Sequence, residues 1–383
     1  MFRFFVFFGF GILWLGSLNK SESVNPSLES LGQKVFFDAH LSEPGGLSCA
    51  SCHDPSLAFA GMPDGRFGVA HGSFPDRLGD RAVPTAMYQK NAPPFSWHVE
   101  DGTRLPNGGL FWDGRVDTLT QQARMPFFNP VEMNIANAST LVGKVQHSAY
   151  AEDFKRLFGP NVFEDSDLAL ERICQAIAAF EKSSLFQPFS SKYDHFLKGD
   201  IQLDNAESRG LDLFLDPQKG NCNACHPTDP CNPDPSASLF TDFSYDNLGI
   251  PRNRNLSQNQ DPDHFDLGLG MHLSCEPERD QWMGAFKTPT LRNVARKNAF
   301  MHNGYFKDLR TVLAFYARRD THPEAWYPKG QVFDDLPPAF RANVNRSEVP
   351  MDLSPGDEPH LSEQDIDDLL AFLKTLNDGY ASP

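Results

Sequence analysis

Residues 49–53 read Cys-Ala-Ser-Cys-His, and residues 222–226 read Cys-Asn-Ala-Cys-His. Both are C-x-x-C-H, the attachment pattern of a c-type haem. The chemistry explains the spacing. Two thiols three residues apart on a tight turn can each add to one haem vinyl group. The next residue then lies under the iron and offers its imidazole as axial ligand. A four-cysteine zinc ribbon spaces its pairs ~15–20 residues apart, whereas these pairs sit in opposite halves of the chain. Two redox disulfides would leave the following histidines unexplained. Cys49, Cys52 and Cys222, Cys225 therefore read as thioether positions for two covalently bound haem c groups, with His53 and His226 as their iron ligands.

The flanks of the two sites repeat each other. Gly32-Gln-Lys-Val-Phe-Phe-Asp38 precedes the first, and Gly210-Leu-Asp-Leu-Phe-Leu-Asp216 the second. A helix-period segment closes each half, at 170–183 and at 362–376. The order helix, haem site, long irregular stretch, closing helix is the plan of a cytochrome c domain used twice. The expected fold is mainly α: two cytochrome c-like haem domains in tandem with long ordered loops, one over 25–195 and one over 196–383. Strand signals are scarce, with no sustained period-2 run.

Of the remaining cysteines, Cys174 lies in an amphipathic helical stretch and reads as a buried thiol. Cys231 and Cys275 lie in Pro/Asp-rich loops, where an oxidising compartment would allow them to pair.

The chain has 383 residues and a formal net charge of −16, which argues against nucleic acid or an anionic membrane surface as partner. Arg3 is followed by an uncharged apolar run over 4–18. That run suits a signal-peptide core better than a bilayer span, so residues 1–24 read as a signal peptide or N-terminal anchor. The bulk of the chain is expected in the periplasm.

The two C-x-x-C-H sites, FWDGRVDTLTQQA at 111–123, NPVEM at 129–133 and FKTPTLRNVARKNAFMHNG at 286–304 together resemble the bacterial di-haem cytochrome c peroxidase family, which includes MauG. The resemblance covers roughly residues 28–378. It implies that the haem on His53 meets H₂O₂ and that the haem on His226 handles electrons, with Trp112 between them. It implies further that Glu132 is the acid/base carboxylate, Gln122 the pocket amide and Pro126 a pocket wall. One carboxylate near an iron can take the proton from the near peroxide oxygen and deliver it to the far one. Arg115 and Arg292 are expected at haem propionates or in interdomain ion pairs, because a guanidinium meets a carboxylate in a two-point fork. His71, in GVAHGSF, is a candidate distal ligand of the first iron.

Residues 309–316, LRTVLAFY, put Leu309, Val312, Leu313 and Tyr316 on one apolar helix face. By resemblance Tyr316 stands fourteen residues after the His302 of the H-N-G motif, where many family members carry a methionine and MauG a tyrosine. A phenolate is a hard anionic ligand and favours Fe(III) and higher states over Fe(II). The reading is therefore a peroxidase with His/Tyr ligation of the C-terminal haem that oxidises an external protein or small substrate. Two alternatives stand beside it. One is a cytochrome c peroxidase that draws electrons from a small cytochrome or cupredoxin. The other is a non-enzymatic electron carrier, against which Glu132 and Gln122 argue.

The family often binds calcium between its domains through one Asn side chain and two carbonyls. Here Ala82 stands in the Asn position, and the carbonyl positions fall on Lys297 and Ala299. Loss of an oxygen ligand weakens a hard-cation site, so calcium is doubtful. The Lys297 ammonium is a candidate stand-in for it.

Overall fold

A computed structural model describes residues 26–381. It is mainly helical, with α1 (Leu28–Phe36), α2 (Cys49–Cys52), α3 (Leu119–Phe128), α4 (Ala138–Gln146), α5 (Ala151–Phe158), α6 (Ser166–Glu181), α7 (Lys192–Leu197), α8 (Asn205–Leu215), α9 (Leu309–Arg318) and α10 (Glu363–Lys374). Long ordered loops and short 3₁₀ turns join them.

Two separate hydrophobic cores carry the helices. In the first, α1 crosses α6 where Gly32 meets the Ala176 carbonyl. In the second, α8 crosses α10 where Gly210 meets the Asp368 carbonyl. A Cβ on either glycine would clash with that backbone, so the glycine opening each repeated heptapeptide is a close-approach residue. Four residues on, Phe36 packs edge-on to Phe180 at 5.4 Å, and Phe214 packs edge-on to Phe372 at 5.2 Å. Phe59 and Phe186 complete the first aromatic group, Tyr193 and Phe240 the second. Truncating one such buried ring to alanine costs ~3–5 kcal/mol. The first core runs to Phe186 and the second begins at Tyr193, so α7 packs with the C-terminal helices although it straddles the expected boundary.

Strands are few among the described residues, as expected. Ser96–Glu100 (β1) and Thr103–Asn107 (β2) form an antiparallel hairpin. Its two-residue loop is Asp101-Gly102, both at positive φ, the geometry that Asp-Gly favours. The short strands Tyr245–Asp246 (β3) and Phe286–Lys287 (β4) pair across the C-terminal half. The expected leader lies outside the described residues. No described helix is long and apolar enough to cross a membrane.

Candidate haem sites and the ground between them

The turn of α2 brings His53 N–H onto the Cys49 carbonyl at 2.8 Å, and a 3₁₀ turn brings His226 N–H onto Cys222 O at 2.9 Å. Each histidine is thereby seated beside its cysteine pair. Each imidazole then meets a carbonyl: His53 Nδ1 lies 2.8 Å from Phe59 O, and His226 Nδ1 lies 2.9 Å from Phe240 O. A carbonyl only accepts, so Nδ1 carries the hydrogen and Nε2 keeps its lone pair, the tautomer that an iron ligand requires. Burial lowers the pKa of both imidazoles, which holds them neutral.

The two supporting carbonyls are presented alike. Phe59 and Phe240 have φ of 53° and 54°. Their oxygens also accept from Ala86 N and Leu291 N. Thr85 and Thr290 each donate a hydroxyl to the residue before that phenylalanine, Ala58 and Leu239. The duplication thus extends into the loops, to Pro84-Thr85 and Pro289-Thr290, a signal too short to stand out in the sequence.

The two cysteine pairs line different cavities, which removes a four-thiol zinc site. No group of three or more His, Cys, Asp or Glu suited to a metal ion occurs among the described residues. The donor set therefore fits haem c at both places: paired thiols, then a neutral histidine with one free nitrogen.

The N-terminal cavity, of about 600 Å³, is lined by His53 together with His71, Trp112, Arg115, Gln122, Pro126 and Glu132. Gln122 and Pro126 come from α3, which starts on a Thr118–Gln121 capping box. Glu132 is held on the following turn, its N–H on Asn129 O at 3.0 Å. Burial pushes its carboxyl above the ordinary range, while Arg115 and a hydrogen bond with Asn129 pull the other way. Arg115 lies over the Phe111 ring at 3.7 Å and holds Asp113 at 2.9 Å. Asp113 is almost fully buried and also accepts from Arg81 at 2.6 Å and His272 at 2.8 Å. Despite burial, these three donors hold its carboxyl far below the usual range. Arg81 in turn forks onto Asp266. This ion network was not foreseen from the sequence.

His71 stands on the wall of the same cavity. Its Nδ1 donates to Gly72 O at 2.9 Å, and its Nε2 lies 3.5 Å from the Asp64 carboxylate.

The C-terminal cavity, of about 190 Å³, is lined by Cys222, Cys225, His226, Met301, Leu313 and Tyr316, among others. Asp308 caps α9 on Thr311 N at 2.8 Å, and Leu309, Val312 and Leu313 are buried on one face. Tyr316 follows on that face, and burial raises its phenol pKa. Arg292 is not in either cavity lining. Fully buried, it grips Asp194 at 2.9 and 3.1 Å and donates to Pro235 O and Ser238 O. Its surroundings supply an ion pair, one of the two roles expected of it.

Trp112 lines both large cavities. Its Nε1 donates to Ala82 O at 2.8 Å. A third, smaller cavity beside it, of about 60 Å³, is walled by His53, Gln122, Glu181, Lys287 and Lys297. Glu181, on the last turn of α6, has a buried Oε2 without a hydrogen-bond partner, and burial raises its carboxyl to about 8. The amphipathic pattern of α6 hid it, because one acid at a helix end reads as a solvated residue. Cys174 is buried as expected, whereas Cys231 and Cys275 are exposed and unbonded rather than paired.

A family model described as Di-haem cytochrome c peroxidase matches residues 26–202. The methylamine utilization protein MauG of Paracoccus denitrificans is 34% identical over 380 residues, covering 96% of this chain and 93% of that protein. The crystal structure of the diheme peroxidase BthA from Burkholderia thailandensis is 43% identical with a TM-score of 0.88, covering 92% of this chain and 86% of that one. The structure of a MauG-like protein associated with microbial copper homeostasis is 28% identical with a TM-score of 0.64, covering 92% and 91%. With histidines and thiols in place for two haems and relatives matched along nearly its whole length, this chain belongs to the di-haem cytochrome c peroxidase and MauG family.

Proposed function

We propose that this di-haem peroxidase reduces H₂O₂ to water in the N-terminal cavity, with two electrons delivered by way of the C-terminal haem. Each haem c is the centre of one of two tandem cytochrome c-like domains. When bound, haem c supplies redox-active iron at each site. The observation that carries the reading is Glu132, a buried carboxyl in the same cavity as His53. A carrier of electrons alone needs no such acid/base group.

The residues divide the work. Glu132 as carboxylate takes the proton from the near peroxide oxygen and returns it to the far one, so that water leaves. Gln122 donates an amide hydrogen bond to the peroxide, and Pro126 shapes the wall. Arg115, already shared with Asp113, presents positive charge to Glu132 and to a haem carboxylate. His71 leaves the distal face open. What supports this is that its Nε2, the nitrogen left free to bind a metal, is turned to the Asp64 carboxylate at 3.5 Å. Trp112 relays electrons between the cavities it lines.

A second reading rests on Tyr316. As an oxygen ligand it would hold the C-terminal haem and favour its oxidised states, and the haem would then supply oxidising power toward an external substrate. Relatives named MauG and relatives named as peroxidases both match this chain. The deciding experiment adds H₂O₂ to fully ferric holoprotein. Loss of peroxide only after one-electron reduction fits a donor cytochrome or cupredoxin. Direct reaction of the ferric protein fits the second reading, and inertness in both states ends both.

Calcium has no place in this proposal. Ala82 offers no side-chain oxygen, and its carbonyl already accepts from Trp112. Export to the periplasm, through the leader read at 1–24, completes it.

A further inference from the structure

The proposed reaction needs more protons than Glu132 supplies. The first water leaves on hydrogens that the peroxide already carries, and Glu132 only moves one of them. The second oxygen becomes water with two electrons and two further protons, so that H₂O₂ + 2e⁻ + 2H⁺ gives 2H₂O. Those protons come from solvent. Asp80 stands on the wall of the same cavity as Glu132 and is also open to solvent. A loop folds it there. Ser73 N–H donates to Glu132 O at 2.8 Å, which lays the loop against the Glu132 turn, and Gly79 N–H returns to Ala70 O at 2.8 Å. Gln258 Nε2 donates to the Asp80 carbonyl at 3.3 Å. Unlike those of Asp113 and Asp266, the Asp80 carboxyl is engaged by no described side chain.

The two carboxyls also feel each other. The Asp80 charge helps to raise the Glu132 carboxyl, against Arg115 and Asn129. Partial burial and the charge of Asp266 raise the carboxyl of Asp80 itself, while His264 and Arg81 pull it down. A carboxyl lifted in this way takes up solvent protons nearer neutral pH than an ordinary one. We propose that Asp80 is a positioning residue that acts through Glu132, collecting protons at the solvent edge of the N-terminal cavity and passing them inward through water. An O–H bond forms on the Asp80 carboxylate as a solvent proton arrives and breaks as the proton moves on to Glu132, so Asp80 ends each passage as it began. No electron changes hands there; both electrons come by way of the C-terminal haem. Haem c brings carboxylates of its own, with Arg81 and Arg115 as cations on the same wall. Those carboxylates are rival proton carriers, and every variant below retains them. The inference rests on the acid/base reading of Glu132.

The test uses full-length holoprotein with two haems per chain, both reduced, mixed rapidly with excess H₂O₂. Haem reoxidation is timed in ordinary and in heavy water. The pH is kept above the acid limb of the rate, so that the lost charge beside Glu132 does not enter. Asp80→Asn is expected to reoxidise about tenfold more slowly, short of the ~10²–10⁴ due to a group that meets the peroxide, because water still admits protons. Its solvent isotope effect should exceed that of the parent. Acetate, as an external proton carrier, should restore speed, and Asp80→Glu should regain most of the lost rate. An Asn variant as fast as the parent overturns the proposal. So does a slow Asn variant indifferent to heavy water and to acetate, since its defect is then structural. Glu132→Gln separates the two layers. If it reoxidises as fast as the parent, the acid/base reading falls. If it is slow while Asp80→Asn is not, only the role of Asp80 falls.

Discussion

Tyr88 and Asn293 hold the same left-handed step in the two halves, with φ of 65° and 62°, and both donate to Asp378 Oδ2, at 2.7 and 2.6 Å. Each follows a Pro-Thr pair by three residues. Their backbone N–H groups reach Phe186 O and Leu376 O, just past α6 and α10. One buried carboxylate thus ties together matching points of the two cores. Asp378→Ala leaves two buried donors unsatisfied, each costing ~1–3 kcal/mol. Denaturant unfolding of the holoprotein should show a loss of about 2–6 kcal/mol. A loss under 1 kcal/mol would mean that the tie bears no strain of assembly.

Glu132→Gln keeps the shape of the cavity and removes the base. Peroxide consumption should fall by ~10²–10⁴, the usual worth of a positioned acid/base group, with both haem spectra unaltered. The pH dependence follows from the raised carboxyl. The reaction needs the carboxylate, and burial lifts its pKa above the ordinary carboxylate range. The parent rate should therefore decline on acidification before an ordinary carboxylate would protonate, and the Gln variant should lack that limb. An identical limb in both would assign it to another group.

Tyr316→Phe removes the only phenolic oxygen that lines the C-terminal cavity among the described residues. The absorption and magnetic spectra of that haem should change while those of the N-terminal haem stay. Tyr316→Met offers a thioether, softer and neutral, and should raise the potential of the C-terminal haem. Spectra indifferent to both changes would make Tyr316 a packing residue and remove the argument for external oxidation.

The two cores were legible because haem attachment uses a short, rigid motif and because Gly32 and Gly210 begin recognisable repeats. The place of Tyr316 on the cavity wall was legible from the apolar face of α9. The hairpin was overlooked although Asp101-Gly102 announces it, since β2 carries Pro106 and neither strand alternates cleanly. The Asp113 network and the Asn293–Asp378 tie join residues far apart in the chain, and no local pattern encodes such partners. The partner of Arg292 is of the same kind. A guanidinium suits a haem carboxylate and Asp194 equally, and only the fold decides between them.

Cys231 and Cys275 are exposed and free, and Cys174 is buried. Native holoprotein should therefore take up two alkyl groups per chain without reductant, seen in its intact mass, and a third only after unfolding. A native mass that shifts only after reduction would restore the pairing of Cys231 with Cys275.

Glu181 carries the sharpest pH signature of the fold. Burial raises its carboxyl to about 8 in the folded chain, against an ordinary 4.5 in the unfolded one. Over that window the unfolded chain releases a proton that the folded chain keeps, so stability must fall as pH rises from 4.5 to 8 and level off above. At ~1.4 kcal/mol per unit the ceiling of the effect is about 5 kcal/mol. Glu181→Gln is neutral at every pH and cannot contribute this slope. Denaturant midpoints at pH 5, 7 and 9 should converge for parent and variant at the acid end, and the variant should be the more stable at pH 9. Parallel midpoints across the range would show that Glu181 is ionised in the folded protein, with a partner for its free oxygen.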